Sequence, residues 1–306
     1  MPKLKLAAAL LAVGVLSLLL LGWASGDAAP DAVAKQRPLF PVSIKAANGT
    51  VTIARRPARI VSLSPTATED LFAVGAGRQV VAVDELSNFP RRAPRTKLSG
   101  FTPNVEAIAG YRPDLVVVHS DAAVAGLERL GITVLQLPAA TNLGHAYAQV
   151  RQLGRATGHP RKAESVVRWM RARIGAAVRS VQDRANRLTV YHELTTDYYS
   201  ATSKTFIGQV YRLLGLRNIA DAAGDTSPYP KLSAEYVIAA DPDVIVLADS
   251  KCCGQDHAAV AARPGWDGIT AVRERRVVAA DDDIASRWGP RIVAFVRSVA
   301  AAVRRA

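Results

Sequence analysis

The sequence predicts an α/β protein with two lobes, each built on a parallel β-sheet that is covered by helices. Strand-like apolar runs alternate with helical patterns in residues 59–141 and again in residues 186–306, and this alternation is typical of parallel sheets. Between these stretches, residues 142–185 contain no strand-like run and predict a long helical connector with an interruption near Gly158. We therefore expect an N-terminal and a C-terminal lobe joined by a helical segment.

An internal repeat supports the division into two similar lobes. Residues 106–118 read E-A-I-A-G-Y-R-P-D-L-V-V-V, and residues 235–247 read E-Y-V-I-A-A-D-P-D-V-I-V-L. In both copies a Pro-Asp pair precedes a buried-type strand, and a polar capping residue, Asn104 or Ser233, stands two positions before the glutamate. Ligands of open parallel sheets bind beyond the carboxyl ends of the strands, so we expect a ligand cleft where the two lobes face each other.

The elements are predicted in a simple order. A polar tether and a hairpin occupy residues 30–58, because apolar residues alternate on both sides of Asn48-Gly49, which favours a type I′ turn. In the first lobe, strands are predicted at 59–63, 80–83, 115–118 and 133–137, with helices from about 66, from about 105 and over 122–130. In the second lobe, strands are predicted at 188–192, near 219, at 244–247 and at 276–280, with helices over 205–214, 234–240 and 289–304.

Residues 1–29 are predicted to direct export. Lys3 and Lys5 precede an uncharged apolar run from Leu6 to Ala24, and small residues follow that run, which is the pattern of a secretory signal peptide. The run of 19 residues is also long enough to cross a bilayer, so a retained N-terminal anchor is the alternative. In both cases we expect an extracytoplasmic protein, in the periplasm or on the outer face of the cytoplasmic membrane.

The cysteines of the sequence, Cys252 and Cys253, are adjacent. Because a lipoprotein carries a cysteine at its cleavage site, their position predicts that the protein is not a lipoprotein. Two cysteines in an oxidising compartment usually pair, which predicts a vicinal disulfide, although neighbouring Cα atoms are only about 3.8 Å apart and disulfides usually span about 4.4–6.8 Å. The alternatives are a soft-metal thiolate site that includes His257 and an intermolecular disulfide.

Charge and motifs exclude several other functions. The formal net charge is +13, but the arginines are scattered rather than grouped with aromatic residues, so we expect no nucleic-acid partner. The sequence has no G-x-S-x-G motif, and His192-Glu193 begins an H-E-x-x-H pattern in which Thr196 replaces the second histidine. We therefore expect a protein that is not an enzyme and that has no catalytic residues, no resident cofactor and no metal site of its own.

Several stretches together resemble one known family. They are P-V-S-I-K-A-A-N-G-T-V-T-I, R-P-A-R-I-V-S-L-S-P-T-A-T-E-D-L-F-A-V-G-A-G, K-L-S-A-E-Y-V-I-A-A-D-P-D-V-I-V-L and A-A-R-P-G-W. In this order, over roughly residues 40–304, they are similar to the cobalamin, ferric-siderophore and haem solute-binding proteins of ABC importers. The resemblance implies the class III periplasmic-binding-protein fold, in which two Rossmann-like lobes are joined by a long backbone helix and hold a ligand between them with small hinge motion.

The same resemblance implies a partner and the residues that contact it. Glu106 and Glu235 match the positions where the family carries one exposed glutamate per lobe to dock on arginines of the permease. A carboxylate in the first turn of a helix is also stabilised by the helix dipole alone, by about 0.3–1 kcal/mol, which is the structural alternative. We expect a monomer whose partners are an ABC permease and its ATPase.

The resemblance further implies a ligand and the loops that bind it. The expected walls and anchors of the cleft are Phe89, Phe101, His119, Tyr199, Tyr229, Asp283, Arg287 and Trp288. Cobalamin or a related corrinoid is expected first, because Asp283 and Arg287 match the cobalamin-binding branch, although Leu86 and His119 stand where that branch carries aromatic residues. A ferric siderophore is second and haem is third, with His119 or a tyrosine as axial ligand.

Two further classes of protein stay open at this point. The first is an envelope sensor that binds a ligand without transporting it. The second is a chelatase-like enzyme on a similar two-lobed scaffold, although cytoplasmic biosynthesis does not require the export signal that the N-terminus predicts.

Overall fold

The computed structural model describes residues 39–306 of the 306-residue chain. The predicted signal or anchor segment, residues 1–29, lies outside the described residues, as does most of the predicted tether. Within the described range, no helix combines the length and the apolar character needed to cross a membrane.

The described chain alternates between short strands and helices. The strands are β1 Val42–Ala46, β2 Gly49–Ile53, β3 Ile60–Leu63, β4 Val80–Val83, β5 Leu115–Val118, β6 Val134–Gln136, β7 Thr189–Glu193, β8 Arg217–Asn218, β9 Val244–Leu247 and β10 Val277–Ala279. The helices are α1 Pro65–Ala73, α2 Val105–Gly110, α3 Val124–Arg129, α4 Leu143–Ala156, α5 Pro160–Arg179, α6 Gln182–Ala185, α7 Phe206–Leu213, α8 Ala234–Ala240, α9 Ser250–Cys253, α10 His257–Ala261, α11 Thr270–Arg273, α12 Asp282–Ala285 and α13 Ile292–Arg304. Short 3₁₀ turns cover Gly77–Gln79, Ile219–Ala222 and Trp266–Gly268.

Two four-stranded parallel sheets form the cores of the two lobes. The first sheet has the strand order β4-β3-β5-β6, and the second has the order β10-β9-β7-β8. Strands β3, β5 and β9 are buried along their whole length, as expected for parallel strands that are covered on both faces. The hairpin β1-β2 is antiparallel and separate from both sheets. The predicted α/β class with two parallel sheets is therefore confirmed.

The repeated Pro-Asp pair has the same structural role in both lobes. The carboxylate of Asp114 accepts hydrogen bonds from the backbone amides of Ala58 and Arg59, 2.8 and 2.9 Å long, just before β3. The carboxylate of Asp243 accepts from the backbone amide of Thr189, 2.8 Å away, at the first residue of β7. Each aspartate thus fixes the start of its own strand against the neighbouring strand, and this accounts for the repeat in the sequence.

One predicted strand is displaced. Ile219 lies in a 3₁₀ turn, while the strand β8 ends at Asn218. The side chain of Asn218 accepts a hydrogen bond from the amide of Ala220 and thereby caps this turn. Local capping therefore ends the strand one residue before the apolar position that suggested it.

The connector consists of helices α4 and α5, which pack against each other. They are separated at Gly158, whose φ of 81° is in the left-handed region that favours glycine. The buried positions of α5 are Ala163, Val167, Met170, Ile174 and Ala177, which recur at helical spacing and form one apolar stripe. This stripe belongs to the same core as α4 and α13, so α5 is tied to both lobes.

Candidate functional site

The loops at the carboxyl ends of the two sheets meet and enclose two adjoining cavities. Cavity A is defined by Asp84, Phe101, His119, Asp283, Arg287 and Trp288 and has a volume of about 450 Å³. Cavity B is defined by Thr141, His192, Lys204, Phe206, Tyr229 and Trp288 and also has a volume of about 450 Å³. Ser286 and Trp288 line both cavities, so the two spaces form one cleft with a shared wall.

Cavity A contains five of the residues that the sequence suggested as ligand contacts: Phe101, His119, Asp283, Arg287 and Trp288. The rings of Phe101 and His119 meet edge to face with centroids 5.7 Å apart. Nδ1 of His119 lies 3.2 Å from the carbonyl oxygen of Leu63. One imidazole nitrogen is thus occupied at the end of β3, and Nε2 is left for a second partner.

Cavity B contains Tyr229 and shares Trp288. The indole Nε1 of Trp288 donates a 2.7 Å hydrogen bond to Oε1 of Gln149 on α4, and the ring meets Phe206 at a centroid distance of 6.5 Å. Since a hydrogen bond and a ring contact both hold the indole, Trp288 is a fixed partition between the two cavities.

Phe89 and Tyr199 line neither cavity. The guanidinium of Arg291 stacks on the ring of Phe89 at 4.4 Å, and the ammonium of Lys231 lies 5.6 Å from the ring centroid of Tyr199. Both rings are nevertheless about 40% exposed, at 42% and 41%. These two residues, which the sequence suggested as cleft walls, therefore lie outside the space that the other six share.

Three large apolar side chains that line the cavities remain exposed. Leu86 and Phe101 in cavity A are 48% and 69% exposed, and Tyr229 in cavity B is 51% exposed. Exposed apolar surface of this kind in a concave site is typical of a wall that a ligand covers.

An ionic network joins the two lobes behind cavity A. Nη1 of Arg287 donates to the carboxylate of Glu69 on α1 at 3.0 Å, and Nη2 donates to the carboxylate of Asp283 at 2.7 Å. Arg291 binds Glu69 through Nε and Nη2, at 2.9 and 2.6 Å. Asn88 donates to Asp283 at 2.8 Å and accepts from Arg287 at 2.9 Å. We call Glu69, Asn88, Asp283, Arg287 and Arg291 the inter-lobe latch.

The latch changes the interpretation of Arg287. Its side chain is buried, and both terminal nitrogens are bonded to protein atoms, including the carbonyl oxygen of Leu86. The sequence suggested Arg287 as a ligand anchor but missed Glu69, Asn88 and Arg291, which hold it. The signal in the sequence was a glutamate, Glu69, in the middle of the helix α1. Carboxylates that a helix buries are normally paired, so this position predicts a cationic partner.

Asp283 is ionised within this network. Burial opposes its ionisation, but hydrogen bonds from Lys251 and Asn88 and the charges of Arg287 and Lys251 outweigh burial and lower its pKa. Asp84, another acid of cavity A, behaves differently. Burial raises the pKa of Asp84, although its Oδ1 accepts a 2.9 Å hydrogen bond from the amide of Leu86.

Another buried acid lies beyond the carboxyl end of β9. Asp249 is fully buried, and neither of its carboxylate oxygens has a hydrogen-bond partner in the described chain. Burial and the charge of Glu193 raise the pKa of Asp249 to about 7. Glu193 itself is paired with Arg263 through two hydrogen bonds of 2.7 and 2.6 Å. The sequence did not suggest this group as functional.

The two glutamates suggested as docking residues occupy equivalent, exposed positions. Glu106 and Glu235 each stand in the first turn of a helix, α2 and α8. The helix ends are capped by other side chains: Asn104 accepts from the amide of Ala107 at 2.8 Å, and Ser233 accepts from the amide of Tyr236 at 3.1 Å. Neither glutamate forms an ion pair within residues 39–306, so both carboxylates face solvent.

Cys252 and Cys253 are joined in a vicinal disulfide on the short helix α9. The backbone amides of Lys251 and Cys252 donate to the carboxylate of Asp282 at 2.9 and 2.7 Å. Nε2 of His257, which the thiolate alternative would use, lies 3.0 Å from the carbonyl oxygen of Val272. In the part of the chain that the structure describes, no group of three or more His, Cys, Asp or Glu side chains could hold a metal ion.

Two parallel-sheet lobes with a cleft at their facing carboxyl ends define a two-lobed binding protein. Residues 60–284 match the family model described as periplasmic binding protein. This match covers more than half of the chain, and the chain belongs to that family. The class III fold and the family resemblance seen in the sequence are therefore confirmed.

Individual relatives share most of the chain. A protein of Bacillus subtilis (strain 168) is named as an uncharacterized ABC transporter substrate-binding lipoprotein. It is 31% identical over 290 residues, which are 89% of this chain and 89% of the relative. A protein of Halobacterium salinarum named cobalamin-binding protein is 35% identical over 265 residues, which are 83% of this chain and 72% of the relative. A solved periplasmic heme-binding protein from Roseiflexus sp. RS-1 is 27% identical with a TM-score of 0.68, over 80% of this chain and 97% of that one.

The first of these relatives corrects one expectation. The position of the cysteines suggested that the protein is not a lipoprotein, but the Bacillus subtilis relative, which matches along most of its length, is named a lipoprotein. That expectation is wrong. The expectation rested on the positions of the two cysteines of the sequence, Cys252 and Cys253. Their positions do not decide how a member of the family is attached to a membrane.

Proposed function

We propose that the chain is the extracytoplasmic solute-binding component of an ABC importer and that it captures a metal-bearing macrocycle or chelate. The observation that carries the proposal is the cleft between the lobes, in which two adjoining cavities of about 450 Å³ each are walled by exposed Leu86, Phe101 and Tyr229. Exposed apolar walls combined with fixed polar groups suit a large macrocycle better than a sugar or a free amino acid. The name of the Bacillus subtilis relative supports the transport role.

Cobalamin or a related corrinoid is the first candidate ligand. The relative from Halobacterium salinarum, named cobalamin-binding protein, is the support for this choice. Haem is the second candidate, and an observation of the structure supports it. His119 lines cavity A with Nδ1 next to the carbonyl oxygen of Leu63, so Nε2 is left to bind iron as an axial ligand. A ferric siderophore, which the sequence ranked second, becomes the third candidate.

The partners follow from the same role. Glu106 and Glu235 are proposed to dock on basic residues of an ABC permease, which works with its ATPase, while the chain acts as a monomer. The support is that both carboxylates are exposed, equivalent in the two lobes and free of ion pairs within the described chain. The proposed boundaries of the lobes stay at residues 59–141 and 186–306, with 142–185 as connector.

A binding role without catalysis is part of this proposal. The relatives compared above are named as binding or substrate-binding proteins. An envelope sensor would use the same cleft but would not need the docking glutamates, and a chelatase-like enzyme would release a metallated product.

Titration of the purified protein with cobalamin, haem and a ferric siderophore tests the proposal. Calorimetry and absorbance should give a dissociation constant in the micromolar range or below for one of these ligands, which corresponds to about 8 kcal/mol of binding free energy. If all three ligands fail to bind below millimolar concentration, the proposed ligand class and the use of the cleft are both wrong.

A further inference from the structure

Cavity B differs from cavity A in charge. Four carboxylates line cavity A: Asp84, Glu85, Asp282 and Asp283. Among the described residues, none with a carboxylate lines cavity B, and the one charged side chain there is Lys204. Lys204 is exposed and forms no ion pair within residues 39–306, so its ammonium is available to a group that enters the cavity.

The N-terminus of helix α7 opens into the same cavity. Thr205 caps this helix of eight residues, and its hydroxyl accepts a 3.0 Å hydrogen bond from the amide of Gly208. Phe206 and Ile207 also line cavity B, and their amides have no acceptor among the described residues. Free amides at a helix N-terminus bind anions, because they point along the positive end of the helix dipole.

His192 supplies an independent sign of a missing partner. Its side chain is fully buried, it lines cavity B, and its Nε2 has no hydrogen-bond partner in the part of the chain that the structure describes. Nδ1 lies 2.6 Å from the hydroxyl of Tyr211. Burial lowers the pKa of His192 to about 3, so the ring is neutral. When the tyrosine hydroxyl donates to Nδ1, the proton of the ring is on Nε2, which then is a donor without an acceptor.

We propose that cavity B is an anion subsite that binds a phosphate or carboxylate group attached to the ligand, through the α7 amides, Lys204 and His192. The inference rests on the proposed function, which places the macrocycle in cavity A; the arm then reaches cavity B where the two cavities adjoin, at Ser286 and Trp288. The ligand is therefore a metal-bearing macrocycle that carries an anionic arm. In cobalamin this arm is the nucleotide with its phosphodiester, and in haem it is a propionate.

Paired ligands with and without the arm test the subsite. Calorimetry should be run with cobalamin and with cobinamide, which has the same corrin ring but lacks the nucleotide and its phosphodiester. The matching pair for a carboxylate is haem and its dimethyl ester. We expect the protein to bind the armed member of one pair more than about tenfold more tightly, since one charge-assisted contact accounts for about tenfold and the subsite offers several donors.

Variants connect this preference to cavity B. Lys204→Ala should weaken binding of the armed ligand about tenfold and leave the armless one unchanged, because it removes one charge-assisted hydrogen bond. His192→Gln, which keeps a side-chain N–H donor, should reduce the preference less than His192→Phe does. The control is Lys162→Ala, which removes an exposed lysine from α5, outside both cavities.

The outcomes separate the inference from the function on which it rests. If both members of a pair bind equally well and Lys204→Ala changes neither, the anion subsite is wrong and the proposed function stands. If no metal complex binds at all, the proposed function fails and the subsite fails with it. A preference confined to cobalamin identifies the anion as a phosphodiester, and one confined to haem identifies it as a carboxylate.

Discussion

At the scale of single residues, the guanidinium of Arg287 is bonded to protein groups on both terminal nitrogens, which its position in the sequence did not predict. Its two terminal nitrogens donate to Glu69, Asn88, Asp283 and the carbonyl oxygen of Leu86. A buried ion pair does not stabilise a fold greatly against an apolar replacement, but removal of one partner leaves the other charge buried and unpaired. Arg287 therefore joins the two lobes beside cavity A.

Arg287→Ala should lower the free energy of unfolding by about 3 kcal/mol, because Glu69 keeps only Arg291 and Asp283 loses the hydrogen bond that Arg287 donates to it. Urea denaturation measures this change. Arg95→Ala is the matched control: Arg95 also lines cavity A but is exposed and donates to the carbonyl oxygen of Glu85, and its loss should cost at most about 0.5 kcal/mol. Equal effects of the two substitutions would contradict the latch.

Asp249 predicts a pH dependence of stability. Its pKa in the folded protein is about 7, above that of an unfolded aspartate, so the folded state binds the proton more tightly. The stabilisation is complete at pH 4 and is lost as the pH rises toward 7 and beyond. Asp249→Asn should therefore raise the free energy of unfolding at pH 8 by about 1–3 kcal/mol and have little effect at pH 4. Urea denaturation at both pH values measures this, and a difference that is constant with pH would refute it.

At the scale of elements, the sequence predicted what local signals determine. The Pro-Asp pairs begin β5 and β9 because each aspartate bonds to backbone amides of the neighbouring strand, and the polar residues Asn104 and Ser233 cap α2 and α8 as their positions suggested. The strand expected near Ile219 was misplaced because the cap at Asn218 acts against the apolar pattern. Capping and turn chemistry thus decide element boundaries where periodicity is weak.

The two glutamates proposed to dock on the permease give a prediction at this scale. Glu106→Arg and Glu235→Arg should each abolish most ligand uptake and binding to the permease, since like charges would face each other across the interface. Ligand affinity of the isolated protein should not change, because neither residue lines a cavity. Glu274→Arg, an exposed reversal after α11, is the control in a whole-cell uptake assay. Normal uptake by both single variants would leave the glutamates as helix-end residues.

The vicinal disulfide on α9 gives a second prediction. In the oxidising compartment expected for the protein, intact mass without reductant should be about 2 Da below the value for two thiols, in a monomer. Treatment with a dithiol should restore the higher mass. Two free thiols that titrate in the native protein, or a dimer that is sensitive to reductant, would refute the intramolecular bond.

At the scale of the whole molecule, the two lobes and their connector were predictable, while the latch was not. Alternation of strands and helices is a local pattern, and it specified both sheets. The contact between Glu69 and Arg287 joins residues that are 218 positions apart. No periodic pattern in either segment predicts such a contact. The division of the cleft into two cavities depends on the same long-range packing, since Trp288 is fixed there by Gln149 of α4.

An exposed aromatic residue of the cleft should affect ligand binding without affecting the free energy of unfolding, whereas a packed aromatic residue would affect stability. Phe101 is 69% exposed and lines cavity A. Phe101→Ala should therefore change the free energy of unfolding by less than about 0.5 kcal/mol but weaken ligand binding by about 1–3 kcal/mol. Trp169→Ala is the matched control, because Trp169 is 46% exposed on α5 and lines neither cavity. Calorimetric titration together with urea denaturation measures both quantities. Should Phe101→Ala and Trp169→Ala reduce ligand affinity equally, or not at all, cavity A is not where the macrocycle binds.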